Sequence, residues 1–581
     1  MEILDYITIA VFAAGIMFVG SLFSSTGKNM KSFFAGGGNV PWWISGLSLF
    51  MGFFSAGTFV VWGSIAYSMG FVAVTIQLTM AVAGFAVGLL IAPRWNKTGC
   101  LTAAEYITRR YGTATQKLYT YIFLFISIFT TGSFLYPIAK IIEVAAGIPL
   151  SSSILILGLF CMIYVSLGGL RAVVVTDVLQ FIILFAAVII VIPLAFGEVG
   201  GVTEFLARVP EGFFTVFAGE YNWVFIVAFM LYNLFFLGGN WAYVQRYTSV
   251  RTPKDAKKVG MLFGVLYTFS PILWMLPPMI YRVFEPGLSG LENENAYLLM
   301  CKQTMPAGML GLMLGGMIFA TASSLNATLN ISAGVFTNDI FKRLRPSAGE
   351  TTLMKVARIS TLGFGVLAIA VALLIPKMGG IVNVVISVAA LTGVPLYLPL
   401  IWSLFSKNLN GRAILSTTVT SLTVNAVLKF IMPAAVGFSL SRAEEMLVGV
   451  LFPALLLAGY EMTLDELRER MQQAERTGEE QTAQLERLRS DLSLSRSHEK
   501  DLEKTLNNVT SSTFWKMSWP LRYFVSKGRQ LTHTFPPFVF LGQLRRVGIS
   551  GVRAQAKAKK EYAKLFPGRT MRADRFASAE L

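Results

Sequence analysis

Residues 42–65 read WWISGLSLFMGFFSAGTFVVWGSI, a stretch without a single charged side chain. A membrane-spanning helix needs about 20 mostly apolar residues, so this stretch is long enough to cross a bilayer. Two glycines, Gly52 and Gly57, interrupt it. Glycine interruptions are typical of unwound backbone that lines a cavity inside a membrane protein, although single glycines also serve close helix packing. The stretch therefore predicts a membrane helix that is either broken or closely packed near its middle.

The composition of the whole chain points to the same solvent. Of its 581 residues, 54% are hydrophobic and 14% are charged, and the mean hydropathy is +0.61. Soluble domains carry about 25% charged residues, so a bilayer is the expected environment. Both histidines, His498 and His533, lie near the end of the chain, which excludes a histidine-based catalytic or metal centre in the membrane part.

Apolar stretches of spanning length recur along residues 1–460 and predict an all-α membrane protein with about thirteen transmembrane helices. The predicted spans are 4–23, 42–65, 71–93, 118–140, 151–168, 174–197, 222–241, 258–283, 306–336, 355–376, 380–404, 413–433 and 444–460. The seventh span ends at Gly238 and Gly239 beside Asn240, so it also carries a glycine interruption. The first span has no basic segment before it and no small-residue cleavage site after it, which favours a retained helix.

Lysine and arginine are distributed unequally between alternate loops. One set of loops, from Lys28 to Arg412, holds about twenty basic residues, and the other set, from Lys140 to Arg442, holds about seven. Cytoplasmic loops carry the excess of basic residues in membrane proteins. The distribution predicts a multi-pass chain with its N-terminus outside and its C-terminus in the cytoplasm.

The composition changes abruptly at about Glu461 and divides the chain into residues 1–460, 461–510 and 511–581. The middle segment carries an imperfect heptad, with Leu464 and Met471 in one seam and Leu467 and Ala474 in the other. It predicts a weak coiled coil or, as an alternative, a solvated amphipathic tail. The last segment mixes basic and aromatic residues, which favours contact with anionic lipid over nucleic acid because the basic residues are dispersed and no recognition motif occurs.

Two polar features lie within the predicted spans. Asp177 begins the sixth span, where an acid either caps the helix or marks an ion pathway, since charges inside membranes are costly. In the ninth span Ala320, Ser323 and Ser324 share one helix face. Hydroxyls and freed carbonyls suit a sodium ion, whereas the structural alternative is small-residue packing with interhelical hydrogen bonds.

The combination of motifs resembles the sodium:solute symporters, a family that includes bacterial proline, sialic acid and galactose symporters and animal sodium–glucose transporters. The resemblance covers residues 1–460 and rests on motifs that are individually weak but follow the family's order and spacing. These motifs are Gly36–Gly38, Ser45–Phe50, Glu105–Tyr106 with Arg109–Gly112, Gly168–Asp177, Gln245–Arg246 and Ala320–Asn330 followed by Thr337–Ile340.

The resemblance implies an inverted-repeat fold of five helices and five inverted counterparts, with one leading and two trailing helices. The second and seventh spans become the broken helices at which midplane binding sites form. It also implies a bacterial inner membrane as the location.

A sodium site is implied between the second and ninth spans. Its ligands would be the carbonyl oxygens of Met51, Phe54 and Ala320 and the hydroxyls of Ser323 and Ser324. Asp177 resembles the family acid that tunes this site or relays the ion. Members with a second sodium place hydroxyls where this chain has Asn326 and Ala327, so one sodium per solute is expected.

The implied solute site lies beside the two breaks. Its candidate residues are Ser55, Ala56, Thr58, Gln77, Asn240 and Trp241. Galactose-type relatives have an acid at the position of Gln77, and sialic-acid-type relatives have an arginine in the fourth span, where this chain has Thr130 and Thr131. No fixed positive charge is expected for a carboxylate, which favours a sugar, polyol or zwitterion. Backbone amides at a broken helix still leave amino acids open.

The sequence therefore predicts a sodium-coupled symporter that imports a small polar solute by alternating access, with no cofactor beyond the coupling ion. The alternative from another class is a transporter-like sensor that signals solute binding to a cytoplasmic partner. An enzyme is not expected. The tail faintly resembles coiled-coil segments that accompany bacterial glycosyltransferase domains, but it lacks the catalytic domain itself.

Overall fold

The computed structural model describes residues 1–24, 38–100, 102–165, 170–406 and 408–493. The glycines at positions 36, 37, 168 and 169 and the tail beyond residue 493 lie outside the described residues. So do the side chains of some residues within helices, including those of Ser323, Asn326 and Ala327.

The described ranges are helical and contain no strand of a β-sheet. The α-helices are α1 (Ile3–Ser24), α2 (Trp42–Met51), α3 (Gly63–Met69), α4 (Val72–Ala86), α5 (Ala92–Lys97), α6 (Ala103–Ala146), α7 (Leu150–Val165), α8 (Leu170–Glu198), α9 (Val202–Arg208), α10 (Trp223–Gly239), α11 (Trp241–Thr248), α12 (Pro253–Phe284), α13 (Ala296–Thr304), α14 (Met309–Val335), α15 (Lys342–Leu344), α16 (Glu350–Leu374), α17 (Gly380–Val388), α18 (Val394–Ser403), α19 (Gly411–Ala426), α20 (Met432–Val436) and α21 (Arg442–Ser493). Wider π-helical turns occupy Thr58–Trp62, Val87–Ile91, Phe336–Phe341, Ala389–Gly393 and Val427–Ile431, and 3₁₀ turns occupy Gly290–Asn295 and Ile375–Met378.

Eight helices in the described part of the chain are long and apolar enough to cross a membrane, and the bent pair α10 and α11 would make a ninth. Shorter apolar segments lie where the sequence predicted further spans. They are Ile3–Gly15, Trp42–Met51, Thr58–Met69, Leu150–Leu159 and Met309–Ala322. The fold is therefore that of an all-helical membrane protein, and the count of thirteen spans stays a prediction.

Side-chain caps fix where several of the helices begin. The hydroxyl of Thr252 accepts a hydrogen bond from the backbone N–H of Asp255 (3.1 Å) at the start of α12. The side chains of Asn222 and Asn410 accept from backbone amides in the same way at α10 and α19. The first amides of a helix have no partner within the helix, so each cap stabilises that end by about 1 kcal/mol.

Helix α12 packs tightly against α4 and also contacts the break in the second span. A Cβ atom added at Gly84 would lie 2.8 Å from the backbone nitrogen of Gly264, and one added at Gly260 would lie 2.5 Å from the Cα of Gly88. Small residues at such crossings let membrane helices approach closely, here α12 against α4 and the π-helical turn Val87–Ile91 that follows it. Phe54, which lies in the break, packs against Trp274 of α12 with ring centroids 4.7 Å apart.

The chain divides into two units, Met1–Tyr460 and Glu461–Leu581. Helix α21 begins in the first unit and ends in the second. The described part of the second unit is helical, and Arg470 pairs with Glu466 one turn earlier (2.6 Å). The coiled-coil interpretation of residues 461–510 and the lipid contact of residues 511–581 stay predictions.

Candidate functional site

The second predicted span is broken between Met51 and Ala56. Helix α2 ends at Met51, and the chain becomes helical again at Ala56. Gly57, predicted as an interruption, has helical angles (φ −57°, ψ −38°), so the prediction was wrong at that residue. Gly52 also has right-handed helical angles (φ −60°, ψ −18°), so glycine's conformational freedom does not cause the break.

At the break, hydroxyl groups accept hydrogen bonds from two backbone amides. The N–H of Ser55 donates to Thr58 Oγ1 (3.4 Å), and the N–H of Ala56 donates to Thr321 Oγ1 of α14 (2.8 Å). In a regular α-helix these two amides would reach the carbonyls of Met51 and Gly52, four residues earlier. The carbonyls of Met51 and Gly52 therefore do not receive these two helical hydrogen bonds, and the role of Met51 as a sodium ligand stays a prediction.

The helix that carries Ala320 and Ser324 contacts this break directly. Thr321, which holds the amide of Ala56, lies between them on α14. The hydroxyl of Ser324 lies 3.5 Å from the carbonyl oxygen of Ala320. The side chain of Ser323 lies outside the described residues, so its predicted role as a ligand stays a prediction.

Asp177 lies beside the same region, on α8. Its carboxylate is 3% exposed, and Oδ2 accepts a hydrogen bond from the hydroxyl of Ser48 (2.6 Å) on α2. The guanidinium of Arg246 is close enough to interact electrostatically with Asp177 and donates to the carbonyl of Ala242 (3.2 Å). The acid therefore has a defined partner on the broken helix and a positive charge nearby.

The second break lies at Asn240, where α10 and α11 meet at an angle of 58°. The side-chain oxygen of Asn240 accepts from the N–H of Ala242 (3.0 Å), and its amide nitrogen donates to the hydroxyl of Tyr397 (3.1 Å). Gly239 has no room for a side chain, because a Cβ would lie 2.7 Å from the Cβ of Tyr397. Both interpretations of the glycine interruption hold here, since the helix breaks and also packs closely.

One cavity joins the two breaks and has about 850 Å³ of empty space, including the space at its mouth. It is lined by residues of the broken helices and of four further helices, namely Ser48, Met51, Gly52, Phe123, Ile126, Ser127, Thr130, Phe134, Asp177, Phe236, Asn240, Ala242, Tyr243, Arg246, Ser324, Thr328, Ile331 and Tyr397. Five of these eighteen residues are aromatic, and the wall also carries neutral hydroxyl and amide groups together with one acid and one base.

The cavity contains only part of the predicted site. Met51, Ser324, Asp177 and Asn240 line it. Seven other predicted residues are absent from its wall, namely Phe54, Ala320, Ser55, Ala56, Thr58, Gln77 and Trp241.

Several of these residues make contacts elsewhere in the structure. Thr58 donates to the carbonyl of Phe53 within the break, and Trp241 is stacked on Phe123 with centroids 4.6 Å apart. Gln77 is buried, 4% exposed.

The sequence did not indicate several lining residues, among them Phe123, Ser127, Phe134, Thr328 and Ile331. Phe123, Ser127, Thr130 and Phe134 follow one another at helical spacing along one face of α6, and Ser324, Thr328 and Ile331 do so along α14. This helical spacing is visible in the sequence and could have predicted that these residues share a face. In the sequence, Arg246 stands out as part of the motif Gln245–Arg246 and not as a site residue, but it lines the cavity, so the expectation of no fixed positive charge at the site was wrong. Among the described residues, no three His, Cys, Asp or Glu side chains come together as metal ligands.

The cavity between two broken helices is the arrangement in which secondary transporters bind solute and ion. The family model described as "Sodium:solute symporter family" matches residues 33–420, which is more than half of the chain. The chain belongs to the sodium:solute symporter family. This is a family of transporters, and its members cross the membrane many times.

Two curated members of the family illustrate the relationship. The sodium/glucose cotransporter of Vibrio parahaemolyticus is 27% identical over 498 residues, which is 79% of this chain and 90% of that protein. The sodium/sialic acid symporter SiaT of Proteus mirabilis is 25% identical over 487 residues, which is 80% of this chain and 97% of that protein.

A solved structure of a Na⁺-coupled sialic acid symporter, in a substrate-bound outward-open state, shares the fold. It superimposes with a TM-score of 0.63 over 78% of this chain and 97% of that one, at 23% sequence identity.

Proposed function

We propose that this protein is a sodium-coupled symporter that brings a small polar solute into a bacterial cell by alternating access. We further propose thirteen spans in the plasma membrane, an outer N-terminus, a cytoplasmic C-terminus and one sodium per solute. The observation that carries the proposal is the cavity between the two breaks, because it joins Met51 and Ser324 at one break to Asn240 at the other. One ion and one solute could then occupy neighbouring parts of one space.

Sodium is the coupling ion in this proposal, and neutral oxygens are its ligands. It would be surrounded by the carbonyls of Met51, Phe54 and Ala320 and the hydroxyls of Ser323 and Ser324. The carboxylate of Asp177 would adjust the electrostatic potential at the ion. Bound sodium would connect α2 to α14, which the bond from Ala56 to Thr321 already holds together. Ion binding would thus stabilise the break that completes the solute site.

The wall of the cavity favours a neutral solute with hydroxyl groups. Aromatic rings such as Phe123 and Tyr397 suit the apolar faces of a sugar or polyol, while Thr130 and Asn240 supply neutral hydrogen-bonding groups. The positive charge of Arg246 is near Asp177 rather than isolated, so the pair adds little net charge. An amino acid is the second solute class to examine.

Coupling to sodium gives the transporter its driving force. Moving one positive charge inward gains about 2.3 kcal/mol per 100 mV of membrane potential. Because about 1.4 kcal/mol corresponds to a tenfold change in an equilibrium, this voltage alone supports roughly 50-fold accumulation. A sodium concentration gradient would add to that figure.

Uptake into proteoliposomes tests the proposal. A panel of labelled sugars, polyols and amino acids is offered with an inward sodium gradient and, in parallel, with choline. We expect sodium-dependent uptake of at least one solute, and replacing Ser324 by alanine should raise the sodium concentration for half-maximal uptake about tenfold, since a hydrogen-bonding or ligating oxygen is worth roughly 1–2 kcal/mol. Uptake that is equally fast in choline would contradict the proposal.

Thr361 provides the matched control. Thr361 is buried, and its hydroxyl donates back to the carbonyl of Ala357 on α16, away from the cavity. The T361A protein should keep the sodium dependence of the wild type. If S324A and T361A behave alike, the hydroxyl of Ser324 is not a sodium ligand.

A further inference from the structure

The leading helix α1 caps the helix that carries Ala320 and Ser324. Asp5 is 1% exposed, and its Oδ1 accepts hydrogen bonds from the backbone N–H groups of Gly308 (2.7 Å) and Gly311 (2.9 Å). These residues are the N-cap and the first turn of α14, where amides have no partner within the helix. A carboxylate there also interacts favourably with the positive end of the helix dipole. A side chain about three hundred residues away in sequence therefore closes the end of α14.

Close packing continues from this cap along α14. A Cβ added at Gly311 would lie 2.3 Å from the carbonyl oxygen of Asp5 and 2.3 Å from the hydroxyl of Thr8. One turn further, the Cβ position of Gly315 is 3.2 Å from the ring of Phe12. Phe12 then meets Phe319 edge-on, with centroids 5.8 Å apart. Helix α1 thus contacts α14 from its first turn to the residue before Ala320.

The opposite face of α14 carries the proposed sodium ligands. At 3.6 residues per turn, Ala320 and Ser324 lie about 180° and 220° around the helix from Gly311. Beside them, Thr321 holds the amide of Ala56 in the break of the second span. Helix α14 is therefore held from one side by α1 and contacts the broken helix on the other.

We propose that Asp5 is a positioning residue for the sodium site. By binding the amides of Gly308 and Gly311, it sets the axial position of α14, and with it the distance from the Ala320 and Ser324 oxygens to the carbonyls of the broken helix. The inference rests on the proposed sodium site. It assigns a defined role in ion binding to the leading helix, none of whose described residues lines the cavity.

Sodium-dependent thermal stabilisation of the purified full-length chain tests this role. The melting temperature is measured in detergent while sodium chloride replaces choline chloride at constant ionic strength. We expect D5A to raise the half-saturating sodium concentration about tenfold, equivalent to about 1.4 kcal/mol. D5N keeps the accepting oxygen without the charge, so its value should fall between those of D5A and the wild type.

Two glycines of α14 supply a matched pair of variants. G311A pushes a methyl group into Asp5 and should raise the half-saturating concentration in the same direction as D5A. G316A places its methyl group 3.4 Å from Leu184, an ordinary contact, and should keep the wild-type value. This pair decides the question if D5A does not fold.

The possible failures are distinguishable. If D5A and G311A lower the melting temperature in choline but keep the wild-type sodium titration, Asp5 is only structural and the proposal is overturned. If sodium does not stabilise the wild type at all, the sodium site itself is absent, and both proposals fail before any variant is compared.

Discussion

Asp177 and Ser48 form a buried pair of side chains at the wall of the cavity. The hydroxyl of Ser48 donates to the carboxylate over 2.6 Å, and both residues lie on the inner face of helices that carry the site. Hydrogen bonds to a charged acceptor contribute about 1.5–3 kcal/mol. Because the bond joins α8 to the broken helix, its loss should affect the ion site rather than the fold alone.

A double-mutant cycle should show that the two residues act together. We expect D177N and S48A each to raise the sodium concentration for half-maximal uptake, and S48A to have little further effect in the D177N protein, because the carboxylate that Ser48 orients is then gone. Sodium titrations of uptake in proteoliposomes measure all four proteins. S133A, whose native hydroxyl donates to the carbonyl of Phe129, serves as the control. Additive effects would show that Ser48 acts independently of Asp177.

At the scale of single residues, the sequence predicted Asp177, the serine Ser324 on α14 and Asn240 at the second break as site residues. Met51, Ser324, Asp177 and Asn240 do line one cavity. The aromatic and hydroxyl residues of α6 could have been found from their helical spacing. The contribution of Arg246 could not, because its proximity to Asp177 depends on how α8 and α11 approach each other.

At the scale of elements, the break in the second span shows the limit of local reasoning. The glycines pointed to the correct segment, yet neither adopts a conformation that needs glycine. One hydroxyl that binds a backbone amide at the break is local, Thr58, but the other belongs to Thr321, which lies 265 positions away from Ala56. No local pattern near Gly52 contains Thr321, so the position of the break could be predicted and this long-range contact could not.

A second long-range contact joins the loop helix Gly290–Asn295 to two membrane helices. Glu294 is 2% exposed, and it accepts from the hydroxyl of Tyr136 (2.8 Å) and from the N–H of Ile381 (3.0 Å). Burial raises the pKa of Glu294, although these two hydrogen bonds and Lys140 oppose the shift and Glu143 adds to it. The buried contact therefore favours the neutral acid.

The sign of the pH effect follows from that raised pKa. The contact is strongest below the ordinary pKa of a glutamate and weakens as the pH rises through the higher pKa of the buried group. We expect E294Q, which cannot ionise, to melt at a higher temperature than the wild type at alkaline pH, with the difference disappearing as the pH falls. Melting curves from pH 4 to about pH 9 measure it.

The neighbouring Glu292 is the control for this experiment. It is exposed on the same turn, so E292Q removes the same charge without touching the buried contact. E292Q should follow the wild type at every pH. A constant difference between E294Q and the wild type would show that Glu294 does not titrate in this range.

At the scale of the whole molecule, all the residues of the cavity belong to the unit Met1–Tyr460. The family match ends earlier, at residue 420. The helices between these two points support the site indirectly. Asn425 of α19 donates to the carbonyls of Ala390 and Leu391 (3.2 Å each), and a Cβ at Gly449 of α21 would lie 2.4 Å from the carbonyl oxygen of Ala390. The turn Ala389–Gly393 that they hold leads directly into α18, which carries Tyr397.

Two truncations should therefore have opposite outcomes. A chain that ends after Arg470 keeps the apolar segment Arg442–Thr463 and every contact to Ala390, so its sodium-dependent uptake per folded protein should match that of the full chain. A chain that ends at residue 420 keeps the family match but loses Asn425 and α21, so Tyr397 loses its support and uptake should disappear. Uptake in proteoliposomes, normalised to protein that elutes as a single species in gel filtration, measures both. Loss of uptake in the longer chain would assign residues 471–581 a part in transport, whereas retained uptake in the shorter one would show that α18 keeps its place without the trailing helices.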